Sequence, residues 1–164
     1  MIRLLTPDDA EELAALYVAN RDFLAPYNPV QPEVFFTPAG QRERLVTANG
    51  VERWRFAILD GSEIAGTVSI TDVVRGARQS GNVGYWVAEP SNGRGLATSA
   101  VGQVVEFGFD EAGLHRLEAG TLLDNLRSQR VLEKNGFQRF GIARRFLKIA
   151  GEWQDHILFE RIAG

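Results

Sequence analysis

The feature that most limits how this chain can fold is the stretch Asn92-Gly93-Arg94-Gly95-Leu96-Ala97-Thr98. It follows the apolar run Val83-Gly84-Tyr85-Trp86-Val87-Ala88, interrupted by Glu89-Pro90, and it precedes a helical pattern that continues to about Asp110. A strand that ends in a glycine turn and opens directly into a helix leaves unpaired backbone N–H groups at the positive end of the helix dipole. Such a turn is an anion cradle suited to a phosphate. Spacing excludes two phosphate loops. A dinucleotide fingerprint needs Gly-x-Gly-x-x-Gly beside the first strand, whereas here Thr98 takes the third glycine position and the turn comes late. A nucleotide-triphosphate loop needs Gly-Lys followed by Ser or Thr, and the chain has no Gly-Lys pair. Taken alone, the turn also reads as an ordinary strand-turn-helix connection.

The rest of the chain supplies the elements around it. Residues 2–5 read as a short strand, and Thr6-Pro7-Asp8-Asp9 is a helix start with a hydroxyl cap, a first-turn proline and two acids. Ala10, Leu13, Ala14 and Tyr17 follow at i, i+3, i+4, i+7, the stripe of a helix that packs on a core and ends near Asn20. Residues 21–36 differ in texture, interleaving Pro26, Pro29 and Pro32 with Phe23, Leu24, Tyr27, Phe35 and Phe36. Proline at that density rules out a long regular helix, and exposed aromatics are costly, so the segment packs onto the body or lines a site. Thr37-Pro38 repeats the helix-start signal for a second helix to about Asn49-Gly50.

Residues 53–59 and 63–74, joined across Asp60-Gly61, read as a hairpin, and residues 81–88 as the next strand. From Gly93 onward, Leu96, Ala97, Ala100, Val101, Val104, Val105 and Phe107 form a wide apolar face for a helix laid across a sheet, closed by Gly113. Residues 116–123 read as a strand, Asp124-Asn125 opens a short helix ending at Asn135-Gly136, and residues 137–149 and 153–161 are two strands joined by Ala150-Gly151. The order β-α-α-β-β-β-α-β-α-β-β predicts an α+β fold with a mixed, mostly antiparallel sheet flanked by helices.

Length and composition bound the function. At 164 residues, without internal repeat or linker, the chain is expected to be a single domain over residues 1–164. A net charge of −3 gives no reason to expect direct nucleic-acid binding, local basic patches such as Arg144-Arg145 aside. No apolar stretch is long enough for a membrane span or signal peptide, so no membrane partner is expected and the expected compartment is the cytoplasm. The absence of cysteine removes disulfides, thiolate metal sites and acyl-cysteine intermediates.

The turn resembles the pyrophosphate loop of the GNAT (GCN5-related) N-acetyltransferases, Gln/Arg-x-x-Gly-x-Gly/Ala, matched here as Asn92-x-x-Gly95-x-Ala97 with Asn92 departing at the first position. Asn125-Leu126-Arg127-Ser128, with the helix end Asn135-Gly136-Phe137, is similar to the second signature of the RimJ/RimL branch. Residues 20–26, Val73-Val74-Arg75-Gly76 and residues 151–156 resemble the RimJ side in particular, the ribosomal-protein-alanine acetyltransferases. The resemblance implies the GNAT acyl-CoA N-acyltransferase fold and acetyl-CoA as cosubstrate, with no metal. It implies that Gly93, Arg94, Gly95, Ala97 and Thr98, with Asn92, cradle the pyrophosphate. It also implies that the pantetheine arm lies between Tyr85-Trp86-Val87 and the strand ending near Leu123, where backbone groups hold the thioester carbonyl.

Two residues keep two readings each. Asn125 is a preferred helix N-cap, and the family adds a hydrogen bond to the pantetheine arm. Ser128 shares the inward stripe of Val131 and Leu132; it is either a local backbone cap or, by the resemblance, the donor that protonates the departing thiolate. Many GNAT enzymes carry a glutamate two residues before the Gly-Tyr-Trp run, and this chain has Asn82 there, which accepts no proton. Asp155 and His156 are the remaining base candidates, on opposite faces of one strand, and a lone strand histidine is often structural. His115, just after a helix end, reads as surface or capping.

The expected activity is direct acetyl transfer from acetyl-CoA to a primary amine in a ternary complex. The favoured acceptor is the N-terminal amine of a ribosomal protein, on the RimJ-like segments alone. Acetylation of a small amine such as an amino acid or antibiotic is the alternative, and a non-catalytic acyl-CoA sensor a third, against which Ser128 argues. The expected state is a monomer or homodimer.

Overall fold

The structure is a computed structural model that describes residues 1–46, 50 and 52–164. Its strands are β1 (Ile2–Leu4), β2 (Trp54–Asp60), β3 (Glu63–Val74), β4 (Ser80–Val87), β5 (Arg116–Leu122), β6 (Gln138–Ile149) and β7 (Glu152–Ile162). Its helices are α1 (Ala10–Ala19), α2 (Arg21–Leu24), α3 (Pro38–Val46), α4 (Leu96–Glu106) and α5 (Leu126–Lys134). The strands form one seven-stranded sheet in the order β1-β2-β3-β4-β5-β7-β6. Every neighbouring pair is antiparallel except β4 and β5, which run parallel because α4 carries the chain back between them.

Alternation along the strands divides the core in two. In β2, Phe56 and Ile58 join a cluster with Val101, Val104, Val105 of α4 and Leu132 of α5, while Ala57 and Leu59 join Leu13 and Tyr17 of α1 and Leu45 of α3. Helices thus cover both faces of a sheet whose strands carry apolar side chains on each side. This is the expected mixed sheet flanked by helices.

Three local differences bear on the site. Helix α4 begins at Leu96 rather than Gly93, because Gly93 and Gly95 sit at φ 78° and 79°, left-handed backbone that ends the turn before the helix can start. Beyond Glu106 the helix widens into a π turn over Phe107–Glu111 before Gly113, at φ 63°. The proline-rich segment is more ordered than its composition suggested, with α2 at one end and a 3₁₀ turn at Glu33–Phe36. It is pinned by Ala150 N–H donating to the Asn28 carbonyl (2.9 Å) and Glu89 N–H donating to Asn20 Oδ1 (2.8 Å). The expected end of the second helix at Asn49-Gly50 lies partly outside the described residues. Among the described residues, no helix is long and apolar enough to cross a membrane.

Candidate active site

The site starts from a pairing that stops early. Strands β4 and β5 share only the register pairs Ser80↔Arg116, Gly81↔Leu117 and Asn82↔Glu118. Beyond them the strands diverge, and the facing backbone edges from Val83 and Ala119 onward line a cavity of about 330 Å³. Neighbouring residues of a strand point to opposite faces, yet Gly84, Tyr85 and Trp86 all line this cavity, as do Gly120 and Thr121. The cavity is therefore a slit through the sheet.

Two further cavities continue it. On the α4 side, a cavity lined by Asn92, Gly93, Gly95, Ala97 and Thr98 shares Val87, Asn92, Ala97, Arg127 and Val131 with the slit. On the α1 side, a second cavity shares Asn28, Gly84, Tyr85 and Trp86 with it. The three form one line from the glycine turn, through the sheet, to the aromatic segment before α3.

At the turn the cradle is made of backbone. Gly95 is the N-cap of α4, and the N–H groups of Leu96, Ala97 and Thr98 have no acceptor within the helix. A Cβ on Gly93 or Gly95 would meet no protein atom within 4 Å, so the space above them is open to a ligand. The side chains of the turn look elsewhere. Arg94 forms a forked ion pair with Asp60, with Nη2 donating to Oδ1 at 2.9 Å, and contributes main chain rather than charge. Asn92 Nδ2 reaches the carbonyls of Val87, Ala88 and Glu89 at 3.3–3.4 Å and closes the preceding 3₁₀ turn. Thr98 lends its carbonyl to Asn135 Nδ2 (3.1 Å), tying α4 to α5.

The positive charge of this end comes from residues that the sequence reading missed. Arg127, Arg130 and Lys134 of α5 line the cavity beside the turn and make no ion pair among the described residues. They stand at i, i+3 and i+7, one stripe of a helix, and that spacing was visible in the sequence.

In the slit, Asn125 and Ser128 take separate duties. Asn125 Oδ1 accepts the Ser128 N–H at 3.2 Å and caps α5. The Ser128 hydroxyl instead lies 2.7 Å from the phenol of Tyr85, which also donates to the Ser128 carbonyl at 3.0 Å. Burial pushes the Tyr85 phenol up to about 12, outweighing the opposing hydrogen bond from Ser128, so it remains a neutral hydroxyl. Thr121, 3% exposed, also lines the slit, and its hydroxyl has no hydrogen-bond partner among the described residues. A buried hydroxyl without a partner is costly, and a polar ligand arm in the slit would satisfy it.

On the far side, His156 is buried at 4% exposure and lines the slit. Its Nδ1 lies 3.1 Å from the Gln154 carbonyl, which can only accept, so Nδ1 carries a hydrogen, and in the neutral ring Nε2 is then the acceptor. Asp155 does not line the slit; its carboxylate accepts the N–H of Arg145 at 2.8 Å and holds the bulge of β6 between Ala143 and Leu147. Trp86 puts its indole against Tyr17, with Nε1 donating to the Tyr17 hydroxyl at 3.1 Å, so toward the slit it offers main chain. Asn82 is exposed and donates to Asp72 at 3.3 Å. Among the described residues, no group of three or more His, Cys, Asp or Glu is placed to hold a metal ion.

A long donor that rests its anionic part on the turn and threads a thin arm between the strands matches this line of cavities, with a second substrate entering from the α1 side. That defines a two-substrate group transferase. The Acetyltransferase (GNAT) domain profile matches residues 1–138. The chain is 41% identical over 161 residues to the probable N-acetyltransferase YjcK of Bacillus subtilis (strain 168), covering 94% of this chain and 89% of that protein. It is 32% identical over 164 residues to the ribosomal protein uS5-alanine N-acetyltransferase of Escherichia coli (strain K12), covering 96% and 84%. The solved structure of Mycobacterium smegmatis RimJ in complex with CoA-disulfide superposes with a TM-score of 0.93 at 28% identity, covering 99% of this chain and 81% of that one. The chain belongs to the GNAT acetyltransferases and is an acetyl-CoA-dependent N-acetyltransferase.

Proposed function

We propose that residues 1–164 act as one unit that moves acetyl from acetyl-CoA to the α-amine of a protein N-terminus, in the cytoplasm, by direct transfer with both substrates bound. The observation that carries this reading is the slit, because it gives the two substrates separate entrances that meet at the Gly84–Trp86 stretch of β4. The RimJ and uS5-alanine acetyltransferase relatives support a ribosomal-protein acceptor.

Each chain group has a task in this reading. The N–H groups of residues 93–98 and the basic stripe of α5 hold the phosphates of the cosubstrate, and Asn125 and Thr121 meet its pantetheine arm. Main-chain groups on the open edge of β4 face the charge that develops on the thioester oxygen. A C–N bond forms as the C–S bond breaks; the amine gives up one proton, accepted by water or His156 Nε2, and the sulfur gains one through Ser128. Tyr85, whose own O–H is given to the Ser128 carbonyl, orients the Ser128 hydroxyl by accepting from it at rest.

Proton affinity favours an α-amine. Only the neutral amine attacks, and with reference values of about 7.7–8.0 for an α-amine and about 10.4 for lysine, lysine costs roughly 3 kcal/mol more to deprotonate at pH 7.5. With Asn82, which accepts no proton, at the position where the GNAT resemblance leads one to expect glutamate, the site has less means to remove that proton. The test is a competition at pH 7.5 on one peptide bearing a free N-terminus and an internal lysine, read by fragmentation mass spectrometry. Acetyl is expected on the N-terminus; acetyl mainly on lysine overturns the reading, and turnover only on a free amino acid or antibiotic replaces it with the small-amine reading.

A further inference from the structure

The cavity on the α1 side carries charge that the transfer chemistry does not use. It measures about 230 Å³ and is walled by Tyr17, Phe35 and Trp86, with Arg44 of α3 and Arg55 of β2 both among its lining residues. Among the described residues no acidic side chain lines it. Two guanidinium groups therefore share one partly enclosed, aromatic-walled space.

Arg44 is held in place. Its guanidinium stacks over the Phe35 ring at 4.5 Å, and Nη1 donates to Gln41 Oε1 at 2.7 Å. Gln41 is fully buried and anchored in turn to the Phe35 carbonyl, so the side chain that aims Arg44 is itself fixed. A guanidinium has five N–H donors, and this contact engages one of them. Burial first, and then the nearby Arg44, pull the Arg55 guanidinium below its ordinary value. An anion between the two would offset both penalties, since a buried or crowded cation is stabilised by an opposite charge within a few ångström.

The sheet register measures how far this charge lies from the reacting centre. Arg55 pairs with Ser69, and Ser69 pairs with Gly84, on the edge shared with the slit. Neighbouring strands are about 4.7–4.9 Å apart, so Arg55 and Gly84 are separated by about 10 Å of backbone. An extended peptide advances about 3.3–3.6 Å per residue, which puts the second or third residue of an acceptor beside the arginines when its amine is at Gly84.

We propose that this cavity is a carboxylate-reading subsite, in which Arg44 and Arg55 select acceptors with Asp or Glu at the second or third residue after the reacting amine. This rests on the α-amine reading above. The test compares matched peptides with a free N-terminal alanine that carry Glu or Gln at positions two and three, acetylated by the full chain with acetyl-CoA at low salt. The Glu peptides are expected to exceed the Gln peptides at least tenfold in kcat/KM, mainly through KM, with the gap narrowing as salt rises. Arg44→Gln and Arg55→Gln are each expected to bring the two peptides closer, and charge reversal in Arg44→Glu to favour a Lys peptide. Equal kcat/KM for Glu and Gln peptides on the unaltered protein overturns the subsite and leaves the α-amine reading standing. Failure to acetylate either peptide overturns the α-amine reading and the subsite with it. Because the first comparison needs no substitution, a variant that does not fold leaves the test intact.

Discussion

At the α4 end of the slit, the cavity is bounded by main chain contiguous in sequence and fixed by two left-handed glycines, with one basic stripe of α5 beside it. At the α1 end the bounding groups are side chains drawn from α1, the proline-rich segment, α3, β2 and β3. A backbone cradle depends on conformation and tolerates most side-chain changes beside it, as the diversion of Arg94 to Asp60 shows. A side-chain cavity depends on which residues five separate segments deliver. The first suits a donor that is always the same molecule, and the second an acceptor that must be told apart from others.

Three substitutions sharpen or break that contrast. The largest effect is expected at the junction of the two ends, where Ser128→Ala should lower kcat by roughly 10² while leaving acetyl-CoA affinity nearly unchanged. Steady-state kinetics with a calorimetric titration read it; loss of stability alone would make Ser128 a packing residue. Next, Gly95→Val should weaken acetyl-CoA binding at least tenfold in a protein that still folds, because φ 79° strains a branched residue and the new side chain enters the open space over the turn. Unchanged affinity by calorimetry, with a native circular dichroism spectrum, would remove the cradle from this end. The smallest effect is expected from Tyr85→Phe, which leaves the Ser128 hydroxyl without its partner. A hydrogen bond worth about 1 kcal/mol corresponds to about fivefold in kcat. The sign with pH follows from the raised phenol: its neutral form is the working one and is lost only as pH rises through about 12, so a kcat profile should show no limb from Tyr85 below that.

How much was legible in the sequence follows the same division. The glycine turn, the α4 stripe and the Asn125 and Ser128 helix start were readable because each is a local pattern of one element. The order of elements along the chain and the mixed sheet followed from the same periodicities, whereas the order of strands within the sheet did not. The slit was not, because it depends on where the pairing of β4 and β5, separated by α4 in the chain, comes to an end. Tyr85 reads in sequence as one more apolar strand residue, and only the packing of α5 against β4 brings its hydroxyl to Ser128. Arg44 and Arg55 come from a helix and a strand with no motif of their own, so their meeting is a tertiary fact. Arg127, Arg130 and Lys134 did carry a signal, three cations on one helical stripe, which passes for an ordinary solvated face until the turn is placed opposite it.

The short pairing of β4 with β5 also makes the sheet two half-sheets, β1 to β4 and β5 to β7, bridged in the strand ladder by three register pairs. In the proposed binding mode, a donor arm lying between them and bonding to both edges would act as mortar as well as reactant. A ligand at a hundred times its dissociation constant adds about 2.7 kcal/mol to folding stability, a large share of the 5–15 kcal/mol typical of a whole domain. The robustness of this enzyme is therefore partly on loan from its substrate pool, and its melting temperature should report the cosubstrate concentration as well as the sequence.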